Sequence, residues 1–399
     1  MKKFFRLSGI IAIAVIIGFS IAACDNSNNS NKYNDDFDYA NIPKTPPALQ
    51  GPSTLQSFKD ITAVQLVAGI KVGWNLGNTL DAVKFGSNLT VSELETAWGN
   101  PVTTKEHITA IKNTGFNAIR IPVSWAKCAD SDYNIRADWM ARVTEVVNYA
   151  VENDMYILLN THHDESVFKF TSKEKTASIN AFRKIWAQIA GNFQNYDEKL
   201  IFEGLNEPRT RGSAAEWNGG TAGERANLNE HYKVFVKTVR ACGGNNDKRF
   251  LMINTYGASG LAAAMNGLTI PADTAQNKLI ASYHAYEPYN FALNEGSGSV
   301  KTWSQSNSSD TSPITSRINQ ANSSFISKGI PVILGEFGAL DRGNEPARAA
   351  WVEFYVKHAA EKGIKCFWWD DGGNFRLYNR REDTFYFPQI KDGLIRGAN

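Results

Sequence analysis

From about residue 55 onward, short apolar runs recur every thirty to fifty positions, roughly the length of a strand followed by a helix. They cover 70–76, 117–122, 155–160, 200–205, 249–254, 279–283, 331–334 and 364–369. Each run is almost continuously apolar instead of alternating, the pattern of parallel strands buried on both faces. The segments between them carry helical spacing. Met140, Val143, Val147, Ala150 and Val151 repeat at three-to-four intervals and predict a helix ending near Asn153. Trp351, Phe354, Tyr355 and His358 do the same ahead of Gly363, and Thr103 with Glu106 forms a capping box before a helix over 107–113 that Gly115 stops. Strands and helices in strict alternation predict an α/β fold of the (β/α)8 barrel type. An open doubly wound sheet would want a G-x-G-x-x-G turn after its first strand, and Gly73-Trp74-Asn75-Leu76-Gly77 is not one.

The N-terminus breaks this pattern. Lys2, Lys3 and Arg6 precede an apolar run over 7–23 that is short for a transmembrane helix and reads as a signal peptide over 1–23. It ends at Ile21-Ala22-Ala23-Cys24, which resembles a bacterial lipobox with isoleucine at the usual leucine position, so Cys24 is expected to be lipidated. Residues 24–53 are rich in Asn, Ser, Asp and Pro and read as a flexible tether, leaving one globular domain over 54–399. The expectation is an exported protein held at the cell envelope or cell surface, touching membrane only through a lipid on Cys24. Cys128, Cys242 and Cys366 are spaced like neither a disulfide framework nor a zinc site, and read as buried apolar residues.

Composition adds little, except for its aromatics. Net charge is +2 with no basic run, which argues against a nucleic-acid partner. Ten tryptophans exceed what a core needs, and an indole face suits the flat apolar face of a pyranose. A monomer without cofactor or bound metal is expected.

Chemistry gathers at the C-terminal ends of the strands, the active-site face of such a barrel. In order these ends supply Asn75 and Asn78, Arg120, His162 with His163 and Asp164, Asn206 and Glu207, His284 and Tyr286, Glu336, and Trp369 with Asp370 and Asp371. Glu207 after the fourth strand and Glu336 after the seventh face each other across the mouth. Two carboxyls so placed can give acid help to a leaving glycosidic oxygen and stabilise an oxocarbenium-like transition state. Gly335 before Glu336 allows close backbone approach. Trp303 and the loop aromatics Trp125, Trp217 and Tyr289 are further cleft candidates.

The motif Ile201-Phe202-Glu203-Gly204-Leu205-Asn206-Glu207-Pro208 resembles the fourth-strand signature of glycoside hydrolase family 5. The resemblance extends in order over Gly73-Trp74-Asn75-Leu76-Gly77-Asn78-Thr79-Leu80-Asp81-Ala82, Arg120-Ile121-Pro122-Val123-Ser124-Trp125, Asn160-Thr161-His162-His163-Asp164, Tyr283-His284-Ala285-Tyr286, Gly335-Glu336-Phe337-Gly338 and Trp368-Trp369-Asp370. It points to the bacterial endo-β-1,4-glucanase branch and implies roles. Glu207 is the acid and base and needs a raised pKa; Glu336 is the nucleophile, held ionised by Arg120 and oriented by Tyr286. Asn206 holds the sugar 2-hydroxyl, His284 steers Glu207, His162 lines the cleavage subsite and Trp369 is its stacking platform. Asn75, Asn78, His163 and Trp303 are additional substrate contacts. The expected partner is a β-linked polysaccharide such as cellulose, mixed-linkage glucan or xyloglucan.

Three alternatives remain open at this stage. A β-mannanase or xylanase would share the fold. A non-catalytic glycan-binding surface lipoprotein would have lost Glu207 or Glu336, and both are present. A metal hydrolase using His162, His163 and Asp164 is opposed by the opposite facing of neighbouring residues in a strand.

Overall fold

Among residues 33–44 and 51–399, which the computed structural model describes, eight parallel strands pair in chain order and close into a barrel. They are β1 (Gly73–Leu76), β2 (Ala118–Ile121), β3 (Tyr156–Asn160), β4 (Leu200–Glu203), β5 (Leu251–Ser259), β6 (Leu279–His284), β7 (Val332–Phe337) and β8 (Lys365–Asp370). The helices are α1 (Ala63–Gly69), α2 (Val91–Glu95), α3 (Lys105–Asn113), α4 (Ala137–Glu152), α5 (Lys175–Asn192), α6 (Ala222–Ala241), α7 (Ala262–Gly267), α8 (Tyr289–Ala292), α9 (Ser308–Ser324), α10 (Glu345–Glu361) and α11 (Pro388–Ala398). A short antiparallel ribbon, β9 (Tyr378–Asn379) and β10 (Thr384–Phe385), follows β8. The signal segment and positions 24–32 and 45–50 of the expected tether, Cys24 included, lie outside the described residues.

The period of two along each strand sorts its residues. Ala118, Leu158, Ile201, Met252, Ile280, Ile333 and Phe367 form one buried cluster that floors the barrel, closed from below by Leu66 and Val67 of α1. Their alternates, such as Ile119, Leu159, Phe202 and Ile253, belong to the larger cluster shared with the surrounding helices. Gly73 occupies the same level as Phe367, and a Cβ there would lie 2.1 Å from that ring, so the bulk of one strand is matched by a gap in its neighbour.

Several boundaries differ from expectation for identifiable reasons. The box opening α3 uses Thr104 and His107, because the Thr103 amide is already donated to Glu95 Oε1 at 2.8 Å. β5 continues past Asn254 through an irregularity where Ala258 adopts φ 46°. β7 runs on to Phe337, so Glu336 lies within a strand and not after it. Part of the expected tether is docked: Asp35 meets Arg183 and Lys237, each at 2.9 Å, and Phe37 lies 4.3 Å under the Arg183 guanidinium. These few contacts tie the stretch to α5 and α6. Cys128, Cys242 and Cys366 are buried free thiols.

Two cleft candidates belong to the packing instead. Trp303 lies against Phe354 of α10 at 5.3 Å and donates its indole N–H to the Asp310 carbonyl. Trp125 is fully buried, its indole N–H donated to the Asn160 carbonyl.

Candidate active site

One step of two residues above the apolar floor, the barrel interior turns polar. This layer holds Asn75, Arg120, Asn160, Glu203, Asn254 and Ser282, all buried, with Gly335 and the partly exposed Trp369. Arg120 is its hub. Nε and Nη2 donate to the two oxygens of Glu203 at 2.6 and 2.8 Å, Nη1 donates to Glu336 Oε1 at 2.6 Å and Asn75 Oδ1 at 3.0 Å, and Nη2 also reaches Asn206 Oδ1 at 2.8 Å. Removing a guanidinium from water costs several kcal/mol unless it is paired in good geometry. Burial here opposes the charge, but Glu203 and Glu336 outweigh it, and the Arg120 pKa is raised. Asn75 is consumed by this network: its amide donates to the carbonyls of Gly335, Phe367 and Trp368. It supports the strand ends from below and is no cleft contact. Asn78 sits at φ 55° in the turn after β1, where the Asp81 carboxylate accepts its backbone N–H.

Above the hub stand the two glutamates. Glu336 Oε2 accepts the Tyr286 hydroxyl at 3.0 Å, while His284 Nδ1 lies 3.1 Å from Glu207 Oε1 and 3.5 Å from Glu336 Oε2. One oxygen of each glutamate and a His284 ring nitrogen all lie within 4.8 Å of one another. A Cβ on Gly335 would sit 3.1 Å from His284 Nε2, so the glycine gives this histidine its room. Burial pushes the Tyr286 phenol well above its usual pKa, helped by the charges of Glu336 and Glu207, which keeps it a donor. Glu207 departs from expectation. Burial raises its pKa, but the hydrogen bond and charge of His284, with Arg209 and His163, lower it further, so in the open cleft the carboxyl sits below its ordinary value. The proton it needs as an acid must be favoured by a bound ligand that expels water.

His162 lies parallel to Trp369, at 5.7 Å between rings and 2° between planes, with its Nδ1 3.1 Å from the Asn160 amide. Burial holds it well below its usual pKa, and it stays neutral. Trp368, by contrast, is core: it is fully buried and its indole donates to the Phe375 carbonyl. Two aspartates of the motifs are staples. Asp164 accepts the N–H groups of Trp125 and Ala126, and Asp370 accepts the Trp74 indole and the Tyr378 amide.

The adjacent histidines do not face apart, contrary to the expectation for neighbours in a strand. β3 ends at Asn160, the pleat ends with it, and the His162 and His163 rings meet edge to face at 4.5 Å. With Asp81 they offer ligand atoms within 4.8 Å of one another, whereas Asp164 takes no part. Sequence reasoning also overlooked Glu203, Arg209 and Glu165. Glu203 carried a signal: a glutamate inside an otherwise apolar strand needs a cation, and Arg120 occupies the same level. Arg209 and Glu165 carried none, being ordinary polar loop residues by sequence. In the structure Arg209 Nη1 lies 3.4 Å from Glu207 Oε2 and 3.6 Å from Glu165 Oε1. Burial favours the neutral Glu165 acid, yet His163 and Arg209 hold it at about 2.

Residues 81–374 match the family model of Cellulase (glycosyl hydrolase family 5). Endoglucanase B of Ruminococcus albus is 40% identical over 411 residues, spanning 98% of this chain and 96% of that protein. Endoglucanase A of Clostridium longisporum is 41% identical over 357 residues, covering 87% of this chain and 68% of that one. Among solved structures, a GH5-4 broad specificity endoglucanase from Ruminococcus champanellensis with bound cellotriose superposes with a TM-score of 0.82 at 44% identity, over 85% of this chain and all of that one. A family 5 lichenase from Caldicellulosiruptor sp. F32 in complex with cellotetraose gives 0.81 at 38% identity, over 90% and 99%.

Proposed function

This chain belongs to glycosyl hydrolase family 5, the cellulases, and we propose that it cuts internal β-1,4 bonds by double displacement, with Glu336 as nucleophile and Glu207 as acid and base. It is a glycoside hydrolase of the endoglucanase type, acting on β-glucan. The observation that carries the mechanism is the close approach of the two carboxylates, within 4.8 Å oxygen to oxygen. Retaining enzymes hold the pair about 5–5.5 Å apart, whereas inverting enzymes need about 6.5–9.5 Å to admit a water.

In the first step Glu336 attacks the anomeric carbon and the bond to the leaving oxygen breaks. That oxygen takes the Glu207 proton. Arg120 and Tyr286 hold the attacking carboxylate in one orientation, so little reorganisation accompanies the attack. In the second step Glu207 takes a proton from water, which displaces Glu336 and restores the β configuration. His284, between the two carboxylates, is suited to steer Glu207 through both steps. Trp369 and His162, lying parallel, suit the sugar at the cleavage point, and Asn206 beside Arg120 suits its 2-hydroxyl. The relatives described as a broad-specificity endoglucanase with bound cellotriose and a lichenase with cellotetraose support cellulose-like and mixed-linkage chains as substrates.

Internal cleavage is tested by viscosity. That of a soluble glucan is expected to collapse early while reducing ends rise slowly; early release of glucose or cellobiose with viscosity barely changed would reject it. Treatment with EDTA followed by gel filtration is expected to leave activity intact. A loss restored only by zinc or manganese would move the chemistry to Asp81, His162 and His163.

A further inference from the structure

Glu165 takes no part in the two displacement steps, yet it touches two of the basic groups that act on the acid. Its Oε1 lies 3.6 Å from Arg209 Nη1 and 3.4 Å from His163 Nδ1. Arg209 Nη1 is in turn 3.4 Å from Glu207 Oε2, and the charges of Arg209 and His163 both favour the ionised form of Glu207. One guanidinium nitrogen is therefore shared between a carboxylate that must gain and lose a proton in every cycle and one that need not. The fold holds this contact from both sides. After β3, Asp164 accepts the Trp125 and Ala126 amides through its side chain and the Val167 and Phe168 amides through its carbonyl, which fixes the turn carrying Glu165. After β4, Arg209 Nη1 donates to the Glu207 carbonyl at 2.9 Å and Nε to Glu216 Oε1 at 3.1 Å. The other Glu216 oxygen accepts the Gly212 amide, and the Tyr256 hydroxyl accepts the Thr210 amide at 2.8 Å.

A salt bridge that only ties two loops together would be complete without Glu165. Arg209 already has Glu216 and a backbone carbonyl, and His163 is held by its own amide, which donates to Ser124 Oγ at 3.0 Å. What Glu165 adds is a charge. Its side chain is 15% exposed and that of Arg209 9%, so solvent and salt screen the contact little. Burial favours the neutral Glu165 acid, but His163 and Arg209 keep it ionised down to about 2. Its charge is thus constant over the range in which an acid catalyst titrates. A carboxyl flanked by cations holds its proton poorly, and a fixed anion shared by those cations offsets them.

We propose that Glu165 is a positioning residue that raises the proton affinity of Glu207, by drawing Arg209 away from the acid and by standing beside it as a permanent negative charge. The proposal rests on the assignment of Glu207 as acid and base above. Glu207 is faced by His284 of β6 and Tyr286 just after it, and by Glu336 of β7 with Arg120 of β2 behind it. The loop after β3 adds His162, His163 and Glu165, with Asp81 near His163, and the loop of Glu207 itself adds Arg209 and Glu216. Of these carboxylates Glu336 becomes an ester during the reaction, whereas Glu165 keeps its charge, so its effect on the acid persists through both steps. The sign follows from the charges. Neutralising Glu165 should let Glu207 ionise at lower pH, and neutralising Arg209 should keep it protonated to higher pH.

The test reads kcat/KM against pH on soluble mixed-linkage glucan, which needs the acid, and on 2,4-dinitrophenyl β-cellobioside, whose leaving group does not. In Glu165→Gln the alkaline limb on glucan should move down by about one pH unit, so that kcat/KM above both limbs falls about tenfold. The profile on the dinitrophenyl substrate should keep its limbs where they are. Glu165→Asp, shorter but still charged, should lie between wild type and Glu165→Gln. Arg209→Gln should move the glucan limb the other way, and the double variant should bring it back toward the wild-type position. A glucan limb that stays in place in Glu165→Gln, equal losses on the two substrates at every pH, or a shift of the same sign in the two single variants would each overturn the proposal. Wild-type profiles in which both substrates share one alkaline limb would instead overturn Glu207 as the acid.

Discussion

Glu336→Ala is expected to lower turnover of every β-glucan by on the order of a millionfold, since no other side chain stands where the nucleophile must be. The surroundings make the loss specific. Arg120 Nη1 and the Tyr286 hydroxyl, which hold the carboxylate oxygens, would remain aimed at the vacated space. A small anion therefore has a ready seat there. Azide added to the variant with an activated β-cellobioside should restore turnover and give the α-cellobiosyl azide, because it attacks from the face opposite the leaving group. Product of β configuration, or no effect of the substitution at all, would remove Glu336 from the role of nucleophile.

Glu207→Ala should act differently. On polysaccharide the leaving oxygen is an alkoxide unless protonated, so turnover should fall by about a thousandfold or more. With 2,4-dinitrophenyl β-cellobioside the leaving group departs unaided, and formation of the glycosyl-enzyme should survive. Hydrolysis of that intermediate then lacks a base, and the intermediate should accumulate. Azide needs no base and should release it as the β-cellobiosyl azide, the opposite anomer to that from Glu336→Ala. The pair of products separates the two roles by stereochemistry alone. An α-azide from Glu207→Ala would overturn the retaining assignment.

The barrel was legible because both faces of each strand are covered, which turns every strand into an apolar run that periodicity can find. Its strand ends were less legible. Glu336 and His284 continue strands whose composition has already turned polar for chemical reasons, so the apolar runs stop short of the strand ends. The docked stretch around Asp35 escaped for a different reason: two ion pairs and two aromatics, Phe37 and Tyr39, against Arg183 hardly alter a composition dominated by Asn, Ser and Asp. In the site, Glu207, Glu336, Arg120 and His284 were visible as polar residues at strand ends. Depth was not. Counting two residues beyond each inward apolar position would have put Asn75 and Glu203 in the buried layer beneath the cleft. Trp303 and Trp125 show the converse limit, since an aromatic on a loop has no periodicity to say which way it faces.

Arg120 has one further property, which follows from its having two carboxylate partners where the chemistry uses one. When Glu336 becomes an ester it is neutral, and a guanidinium paired with it alone would be stranded deep in the barrel as a bare cation. Glu203, bound to Arg120 through both oxygens, lies beneath the cleft and takes no part in the reaction, so the guanidinium keeps this partner. Before attack the cation thus has two carboxylate partners and in the intermediate it has one, so at neither stage does it lack a counter-ion. Glu203 works as ballast: it lets the nucleophile give up its charge and regain it in each cycle without the barrel interior being alternately strained and relieved.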